Sequence, residues 1–455
     1  MNKEVENVEL KNRTFKGGIH IPPFKEQTEL LPLKRAKEPN FVVIPLQQHI
    51  GAPCEPLVKI GEKVKVGQVI GSSQEFVSAV VHSSISGTVA GIETKLTPTG
   101  NKVKSIIIEN DGTNESEGKI VSNASLENMT PKEILDIIRK AGITGMGGAG
   151  FPTHVKLSPP PDKKIDTVIL NGSECESFLT SDARLMIEKP ENVVFGLKAI
   201  MKVLGVKRGY IGIEDNKTEA IKSIKKTCEK EENIEVVLLK TKYPQGDEKR
   251  LINVITGRKV PSGGLPMDVG VIVNNAGTSN AIAEAILEGK PLYERIITVT
   301  GNGVKQPQNL IVKIGTSFKD VINQCGGYNK NPGKIIMGGP MMGIAQVTDD
   351  VPVIKGTSGI LVLTEEESKP QEVLPCIKCG KCLEVCPVRL QPIYISKYSL
   401  KKQYDKADEY HALDCIECGL CSYVCPSKIH LVESIRLAKK VITGKRKKAR
   451  NDGRN

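Results

Sequence analysis

The chain has 455 residues, of which 39% are hydrophobic and 25% charged, the composition of a soluble protein with about three domains. Its net charge is +12, but aromatic residues make up only 4%, and no basic–aromatic pattern or known motif favours nucleic-acid binding. No apolar run reaches about 18 residues and no signal peptide is visible, so we expect no membrane span and no export. In a reducing compartment, twelve cysteines indicate metal ligation and not disulfides.

Residues 1–120 predict a β-rich head. The stretches "EPLVKIGEKVKVGQVIG" and "VVHSSISGTVAGI" are short apolar runs punctuated by glycine, and they resemble the flattened barrel of biotinyl and lipoyl carriers. A carrier needs a lysine at its hairpin tip, whereas "SSQEFVSAVVHSS" has none. We therefore expect a docking or covering domain, with His82 as an ordinary surface histidine.

A glycine-rich loop follows the helix predicted for "TPKEILDIIRKAG". Gly145, Gly147 and Gly150 match G-x-G-x-x-G, a weak signal by itself. A helix and not a strand precedes the loop, and Pro152 follows it, so this is not an ordinary Rossmann turn. The backbone can still approach a ligand closely, and Lys156 is placed to meet a phosphate.

Acidic and amide side chains follow the next predicted strand, "DTVILN". It ends at Asn171, and Glu174 and Glu176 come directly after it, where open α/β sheets place their ligand sites. A solvated loop is an equally good interpretation of these two acids from spacing alone. The runs "GYIGIED", "IEVVLLK" and "VGVIVNN" alternate with helical patterns. Residues 125–285 are therefore predicted to form an α/β domain with a mostly parallel sheet.

Residues 290–345 alternate strands and turns before a helix that starts at Ser317, which predicts a small β-grasp module. Four cysteines lie outside the two cysteine-rich runs, and we interpret them as core or surface thiols: Cys54, Cys175, Cys228 and Cys325.

Two matched runs, "CIKCGKCLEVCP" and "CIECGLCSYVCP", each have the spacing C-x2-C-x2-C-x3-C-P. In two-cluster ferredoxins, three cysteines of each run bind one [4Fe–4S] cluster and the fourth binds the other. The first predicted ligand set is Cys376, Cys379, Cys382 and Cys425, and the second is Cys415, Cys418, Cys421 and Cys386. Two zinc sites are the alternative, but zinc ribbons use cysteine pairs separated by longer loops.

The segment between the runs looks helical, so residues 365–440 predict a ferredoxin-like helical domain with two clusters. The basic residues 441–455 predict a disordered tail. The expected fold class is therefore multidomain α/β and α+β.

Four motifs together resemble the flavin-binding, NADH-oxidising subunit of respiratory complex I. "GMGGAGFPTHVK" is similar to its glycine loop, "NGSECES" to its N-x-x-E-x-E segment, "YPQGDEK" to Y-x-x-G-E-E, and "VNNAGT" to its flavin loop V-N-N-x-x-T. They occur in the same order over residues 142–278. The resemblance implies binding of flavin mononucleotide (FMN) and NAD(H).

The resemblance also implies residue roles. Phe151 would face the nicotinamide and Glu176 would contact the nucleotide. The remaining cofactor-binding residues are Gly145, Gly147, Gly148, Gly150, Lys156, Asn171, Glu174, Tyr243, Gly246, Asp247, Glu248, Asn274, Asn275 and Thr278. This chain departs from the family pattern with Asp247 in place of glutamate, Ser177 in place of proline and His154 in place of glycine.

The stretch "TFKGGIHIPPFK" and the order of the domains resemble the C-type member of the Rnf electron-transport complex over nearly the full chain. That family exchanges electrons between ferredoxin and NAD and couples this to Na+ or H+ translocation. The resemblance implies integral-membrane and ferredoxin-like partner subunits, a peripheral position at the cytoplasmic face of the cell membrane, and no nucleic-acid partner.

Three alternatives remain open at this point. The NADH-dependent cobalamin reductase of propanediol-degrading microcompartments has similar modules. A non-enzymatic iron–sulfur relay scaffold would have lost nucleotide binding, and a zinc-bearing nucleic-acid binder is the remotest.

Overall fold

The protein is described by a computed structural model that covers residues 13–118, 125–148, 150–329 and 331–452. The chain divides into two units. Met1–Pro22, Lys240–Leu265 and Lys369–Asn455 form the first, here named the cysteine unit, and Pro23–Leu239 with Pro266–Ser368 form the second, the sheet unit. Among the described residues, no helix has the length and apolar character needed to cross a bilayer.

The head of the sheet unit is β-rich, as predicted. Strand β1 (Leu33–Arg35) joins another sheet, and the head strands are β2 (Phe41–Pro45), β3 (Glu55–Pro56), β4 (Lys63–Val64), β5 (Val69–Ser72), β6 (Val81–His82), β7 (Gly87–Leu96) and β8 (Lys102–Asn110). They form antiparallel sheets in the orders β2-β8-β7-β4 and β3-β5-β6. Alternate apolar residues such as Ile44 and Ile106 fill the space between them.

His82 corrects one expectation. It is only 3% exposed, so the prediction of a surface histidine is wrong. Burial is the main reason why the pKa of His82 is lowered to about 3, and the nearby charge of Lys355 adds to it. The ring is therefore neutral at physiological pH.

The predicted α/β domain has a four-stranded sheet in the order β11-β10-β9-β12, with every neighbouring pair parallel. Its elements, with one helix of the cysteine unit (α6), are α1 (Pro131–Lys140), α2 (Thr153–Lys156), β9 (Thr167–Asn171), α3 (Ser181–Glu188), α4 (Pro190–Leu204), β10 (Arg208–Glu214), α5 (Thr218–Thr227), β11 (Ile234–Leu239), α6 (Glu248–Thr256), β12 (Val271–Asn275) and α7 (Ala276–Leu287). Thr130 and Glu133 form the capping box that the sequence predicted for α1. The apolar face of α1 is buried in the core of this domain.

The β-grasp module is part of a six-stranded sheet in the order β1-β14-β13-β17-β15-β16. Its elements are β13 (Glu294–Thr300), β14 (Gln308–Lys313), α8 (Phe318–Gln324), β15 (Pro332–Met337), β16 (Ile344–Ala345) and β17 (Gly359–Thr364). Ser317 caps α8 through the amide of Asp320, as the predicted helix start requires. The sheet reaches beyond residues 290–345, because it takes in β17 and, from the amino-terminal side, β1.

The cysteine unit is helical. Besides α6 it contains α9 (Lys381–Glu384), α10 (Pro392–Leu400), α11 (Tyr404–Glu409), α12 (Leu420–Tyr423) and α13 (Leu431–Asp452). The predicted disordered tail is wrong for residues 441–452, which continue α13. Ile442 is buried, and Lys445 and Arg446 pair with Asp405 and Asp408 of α11 at 2.9 and 2.6 Å. These contacts supply a packed face that the basic composition alone does not reveal.

Candidate functional site

The carboxyl ends of β9 and β12 form the edge where the predicted flavin residues gather. From β9 the chain proceeds to β10 and β11 on one side, and then returns to place β12 on the other. Ligands of open α/β sheets bind at such a switch in strand order. Asn171 and Asn275 are direct register partners at this edge.

The glycine loop closes on itself over this edge. The Gly145 amide donates to the Phe151 carbonyl at 2.9 Å, and the Met146 amide donates to the Thr278 hydroxyl of α7 at 3.1 Å. A Cβ atom at Gly147 would lie 3.0 Å from the Asn275 side chain, while one at Gly148 would meet no described atom within 4 Å. The loop therefore packs tightly against β12 on one side and leaves open space on the other.

Gly150, Phe151 and Lys156 complete the loop region. Gly150 has a left-handed backbone with φ of 66°, which favours glycine. Phe151 is half-buried, and Lys156 is the last residue of α2. His154, which departs from the family pattern, is buried and contacts the head: its Nε2 lies 3.3 Å from the Phe76 carbonyl. This histidine packs two parts of the sheet unit together.

Two buried polar atoms at the edge have no hydrogen-bond partner among the described residues. They are Nδ2 of Asn274 at the end of β12 and Oγ of Ser173 just after β9. A buried donor without a partner costs about 1–3 kcal/mol. These atoms, together with the open face at Gly148, fit a polar planar ligand such as FMN.

Glu174 has a role that the sequence did not reveal. Its carboxylate accepts hydrogen bonds from the amides of Asp182 and Ala183 at 2.7 and 3.1 Å, so it caps α3. Lys25 reaches the same loop from the amino-terminal segment, and its Nζ donates to the carbonyls of Glu174 and Leu179 at 2.8 and 2.6 Å. Since Glu174 itself has φ of 41°, these contacts hold a sparsely populated backbone conformation in place.

Asp182 is a second residue that sequence reasoning missed. Its carboxylate accepts a 2.6 Å hydrogen bond from Nδ2 of Asn275, whose Oδ1 caps α7. Burial raises the pKa of Asp182 to about 6, and the charge of Glu174 raises it further. No motif signal pointed to Lys25 or Asp182, because their partners are distant in sequence.

Glu176 faces the β-grasp module and not open solvent. The amides of Met342 and Met341 donate to its two carboxylate oxygens at 2.7 and 3.3 Å. Burial raises the pKa of Glu176 to about 7, although these two hydrogen bonds and Lys25 counteract it.

The remaining predicted flavin residues, 243–248, lie in the cysteine unit. Tyr243 is 2% exposed, and its hydroxyl donates to the Cys418 carbonyl at 2.9 Å. Asp247 caps α6 through the Arg250 amide at 3.0 Å, and burial raises the pKa of Asp247. Gly246 precedes it and Glu248 begins α6. Gln245, which the motif comparison passed over, is fully buried, and neither of its side-chain amide atoms has a partner in the described part of the chain.

The second predicted ligand set lines one cavity. Cys386, Cys415, Cys418 and Cys421 share its wall with apolar residues that include Leu390 and Val432. Burial is the main cause that raises the pKa of Cys418 to about 12, and repulsion from Cys415 and Cys386 adds to it. The fourth cysteine of the first run therefore sits with the first three of the second run, as the crossed pattern requires.

The first predicted ligand set shows the reciprocal crossing. The charges of Cys379 and Cys425 both act on Cys382. Cys376 and Cys379 are exposed, whereas Cys418 and Cys421 are each only 8% exposed. The two cluster loops thus have similar sequences and different surroundings.

Each cysteine loop curls through a left-handed glycine, Gly380 with φ of 78° and Gly419 with φ of 77°. The amides of Lys378 and Glu417 lie 3.4 Å from the sulfurs of Cys376 and Cys415 and donate to them. Within the described residues, no three His, Cys, Asp or Glu side chains converge on the scale of one metal ion. That spacing is consistent with thiolates spread around a larger cluster and less with tetrahedral zinc.

Four family models match the chain in order. They are the RnfC barrel sandwich hybrid domain at residues 13–113, the Nuo51 FMN-binding domain at 138–284, the SLBB domain at 296–345 and the 4Fe-4S dicluster domain at 375–429. The chain thus contains an FMN-binding domain and a 4Fe–4S dicluster domain.

The chain is 52% identical over 439 residues to the RnfC-type component of the Na(+)-translocating ferredoxin:NAD(+) oxidoreductase complex of Acetobacterium woodii, covering 96% of this chain and 99% of that protein. This chain belongs to the RnfC family. It is also 49% identical over 397 residues to the corresponding component of the proton-translocating ferredoxin:NAD(+) oxidoreductase complex of Clostridium ljungdahlii, covering 87% of each. The corresponding component of the ion-translocating oxidoreductase complex of Rhodobacter capsulatus is 39% identical over 390 residues, covering 85% of this chain and 75% of that protein.

Among solved structures, an NAD+-reducing [NiFe]-hydrogenase in the air-oxidized state superposes with a TM-score of 0.49. It is 17% identical and covers 70% of this chain and 68% of that chain. A likeness at that level supports no argument about function.

Proposed function

We propose that this chain is the NAD(H)-reactive subunit of a membrane-bound ferredoxin:NAD oxidoreductase. It passes electrons between nicotinamide, FMN and two [4Fe–4S] clusters, and its partners in the complex couple this to Na+ or H+ translocation. One contact carries the proposal: the predicted flavin residue Tyr243 donates a hydrogen bond to the backbone of the predicted cluster ligand Cys418. Flavin and cluster motifs are thereby joined within the cysteine unit itself.

The residues of the sheet unit bind and orient the nucleotides. Gly147 and Gly148 keep side chains out of the space beside β12, and Asn274 offers its buried amide there. In keeping with the family resemblance, Phe151 faces the nicotinamide and Glu176 contacts the nucleotide. FMN, when bound, accepts the two electrons of a hydride together and releases them one at a time, which nicotinamide does not do.

Lys25, Glu174 and Asp182 shape this site without touching the reacting atoms. Glu174 and Lys25 fix the loop after β9, and Asp182 fixes the Asn275 side chain that packs on Gly147. Tyr243, Gly246, Asp247 and Glu248 are proposed as further cofactor-binding residues, as the resemblance implies.

The eight cysteines hold two clusters in the crossed sets given above. Burial and N–H···S contacts tune the potentials of such clusters, so the two are expected to differ. The exposed loop around Cys376 and Cys379 carries Ile377, which is 68% exposed, with Lys378 beside it. We assign this loop to electron exchange with a partner subunit, because electron transfer needs close approach. The chain then lies peripherally at the cytoplasmic face of the membrane.

The decisive experiment is anaerobic mixing of the purified, FMN-reconstituted chain with NADH, followed by flavin absorbance and then by EPR of the clusters. Bleaching of the flavin together with reduced-cluster signals supports the proposal. Flavin bleaching with silent clusters would refute electron transfer within the single chain. Failure to bind FMN or to react with NADH would refute the NAD(H)-reactive role itself. Cys418→Ser is the matched control, since it should retain flavin bleaching and lose the cavity-bound cluster.

A further inference from the structure

The hairpin turn between β15 and β16, residues 338–343 ("GGPMMG"), lies against Glu176 of the α/β domain. Two successive amides of this turn, those of Met341 and Met342, each donate to one oxygen of the Glu176 carboxylate, at 3.3 and 2.7 Å. Hydrogen bonds to a charged acceptor are about twice as strong as neutral ones. Backbone donors also hold a carboxylate more rigidly than flexible side chains do.

The shape of the turn depends on the approach of Glu176. A Cβ atom at Gly339 would lie 2.3 Å from Oε2 of Glu176 and 2.8 Å from its Cδ. At Gly343, a Cβ would lie 2.2 Å from the Gly339 carbonyl oxygen, to which the Gly343 amide already donates at 3.0 Å. Both glycines are therefore required for a turn that closes on itself and receives a carboxylate.

The turn leaves part of Glu176 available to a ligand. A carboxylate offers about four acceptor positions, and the two amides occupy two of them. Glu176 can therefore still accept hydrogen bonds from two hydroxyls. Beside it, Met342 is 48% exposed and offers an apolar surface.

We infer that the turn of residues 338–343 is a positioning element of the nucleotide site. It fixes the Glu176 carboxylate so that its free acceptor positions receive the vicinal hydroxyls of a nucleotide ribose. The inference rests on the proposed function, in which Glu176 contacts NAD(H). It assigns to the β-grasp module a direct part in substrate binding, with Gly339, Met341 and Met342 acting through Glu176.

The test compares four variants of the full, FMN-reconstituted chain: Gly339→Ala, Glu176→Gln, the double variant, and Gly356→Ala. The last is a matched control, because a Cβ atom at Gly356 would meet no described atom within 4 Å. Stopped-flow reduction of the flavin gives the apparent Kd for NADH and the rate at saturation. We expect Gly339→Ala and Glu176→Gln each to raise Kd about tenfold, the loss typical of one displaced charged hydrogen bond, with FMN content and saturating rate retained.

The double variant separates positioning from general damage. If Gly339 acts through Glu176, adding Gly339→Ala to Glu176→Gln leaves Kd unchanged, whereas independent effects would multiply to about a hundredfold. Multiplicative losses, or an unchanged Kd in Gly339→Ala, overturn the inference. If Gly339→Ala does not retain FMN, Glu176→Asp replaces it, since a shorter acid cannot reach both the amides and the ribose.

Failure of the proposed function has a different signature, namely that NADH does not reduce the flavin of the unmodified chain. Binding of ADP-ribose, which carries the ribose hydroxyls without a redox group, then decides about the turn. A loss of ADP-ribose affinity in Gly339→Ala but not in Gly356→Ala supports the inference, and equal affinities or no binding overturn it.

Discussion

Replacing Lys25 with methionine tests how the amino-terminal segment supports the flavin loop. The Lys25 side chain is 9% exposed, donates to two backbone carbonyls and lies 3.9 Å from the Glu174 carboxylate, which is 4% exposed. Removing one partner of a buried pair costs about 3–5 kcal/mol. Burial, with repulsion from Lys217, lowers the pKa of Lys25 from 10.5 to about 8, so holding the ammonium there already costs about 3 kcal/mol. Methionine relieves that cost, and we expect a net destabilisation of about 1–2 kcal/mol.

The assay is thermal and urea unfolding of the FMN-loaded chain, followed by release of flavin fluorescence. A loss of this size lowers Tm by about 3–6 °C for a unit of more than 200 residues. Lys34→Met is the control, since Lys34 is exposed on β1 and should behave like the unmodified chain. In the double variant Lys25→Met with Glu174→Gln, the two losses should be less than additive, because the second change removes the uncompensated charge.

The pH dependence of the same variant has a defined sign. The folded-state pKa of Lys25 is lowered, so the folded chain binds fewer protons than the unfolded chain between pH 8 and 10.5. The unmodified chain therefore gains stability as the pH rises through that window, and the deficit of Lys25→Met should widen. A deficit that narrows above pH 8 would show that the ion pair, not the burial of the amine, dominates, and a Tm equal to that of the control would refute the reasoning altogether.

Three further outcomes are expected. Cys386→Ser should lose the cavity-bound cluster and Cys425→Ser the exposed one, each lowering iron from about eight to about four atoms per chain with different residual EPR signals; loss of the same cluster in both would contradict the crossed sets. Tyr243→Phe leaves the Cys418 carbonyl without its 2.9 Å donor and should lower the stability of the cysteine unit by about 1 kcal/mol, seen as earlier loss of cluster absorbance on heating, whereas an unchanged profile would make the contact dispensable. Glu176 has a folded pKa raised from 4.5 to about 7, so its contribution to stability is complete below pH 4.5 and is lost as the pH rises through 7; Glu176→Gln should therefore gain up to about 3 kcal/mol on the unmodified chain between pH 5 and 8 in urea unfolding, and parallel pH profiles would contradict this.

Much of the site could be predicted from the sequence, because its strongest signals are local. The cysteine spacing that wraps a cluster is contained within twelve residues, and the capping box of α1 lies within four. The glycine loop and the residues after β9 and β12 could be placed at one sheet edge because parallel strands bring their carboxyl ends together. Each of these features depends on neighbours along the chain or on a general rule of sheet topology.

Tertiary packing decided the rest. Residues 240–265 lie within the predicted α/β domain in sequence but fold with the cysteines, because Tyr243 and Arg250 hydrogen bond to the cysteine loops, at the carbonyls of Cys418 and Pro387. The burial of His82 and the helical continuation of the basic tail likewise depend on the surfaces that other segments present.

The same limit applies to the acids of the flavin loop. Two glutamates two positions apart look alike in the sequence, yet Glu174 caps α3 opposite Lys25, while Glu176 meets the turn of residues 338–343, more than 160 residues away. Spacing along the chain determined that acids stand at this edge. Only the packing of distant segments determined what each carboxylate contacts, because hydrogen-bond partners are set by proximity in space and not by order in sequence.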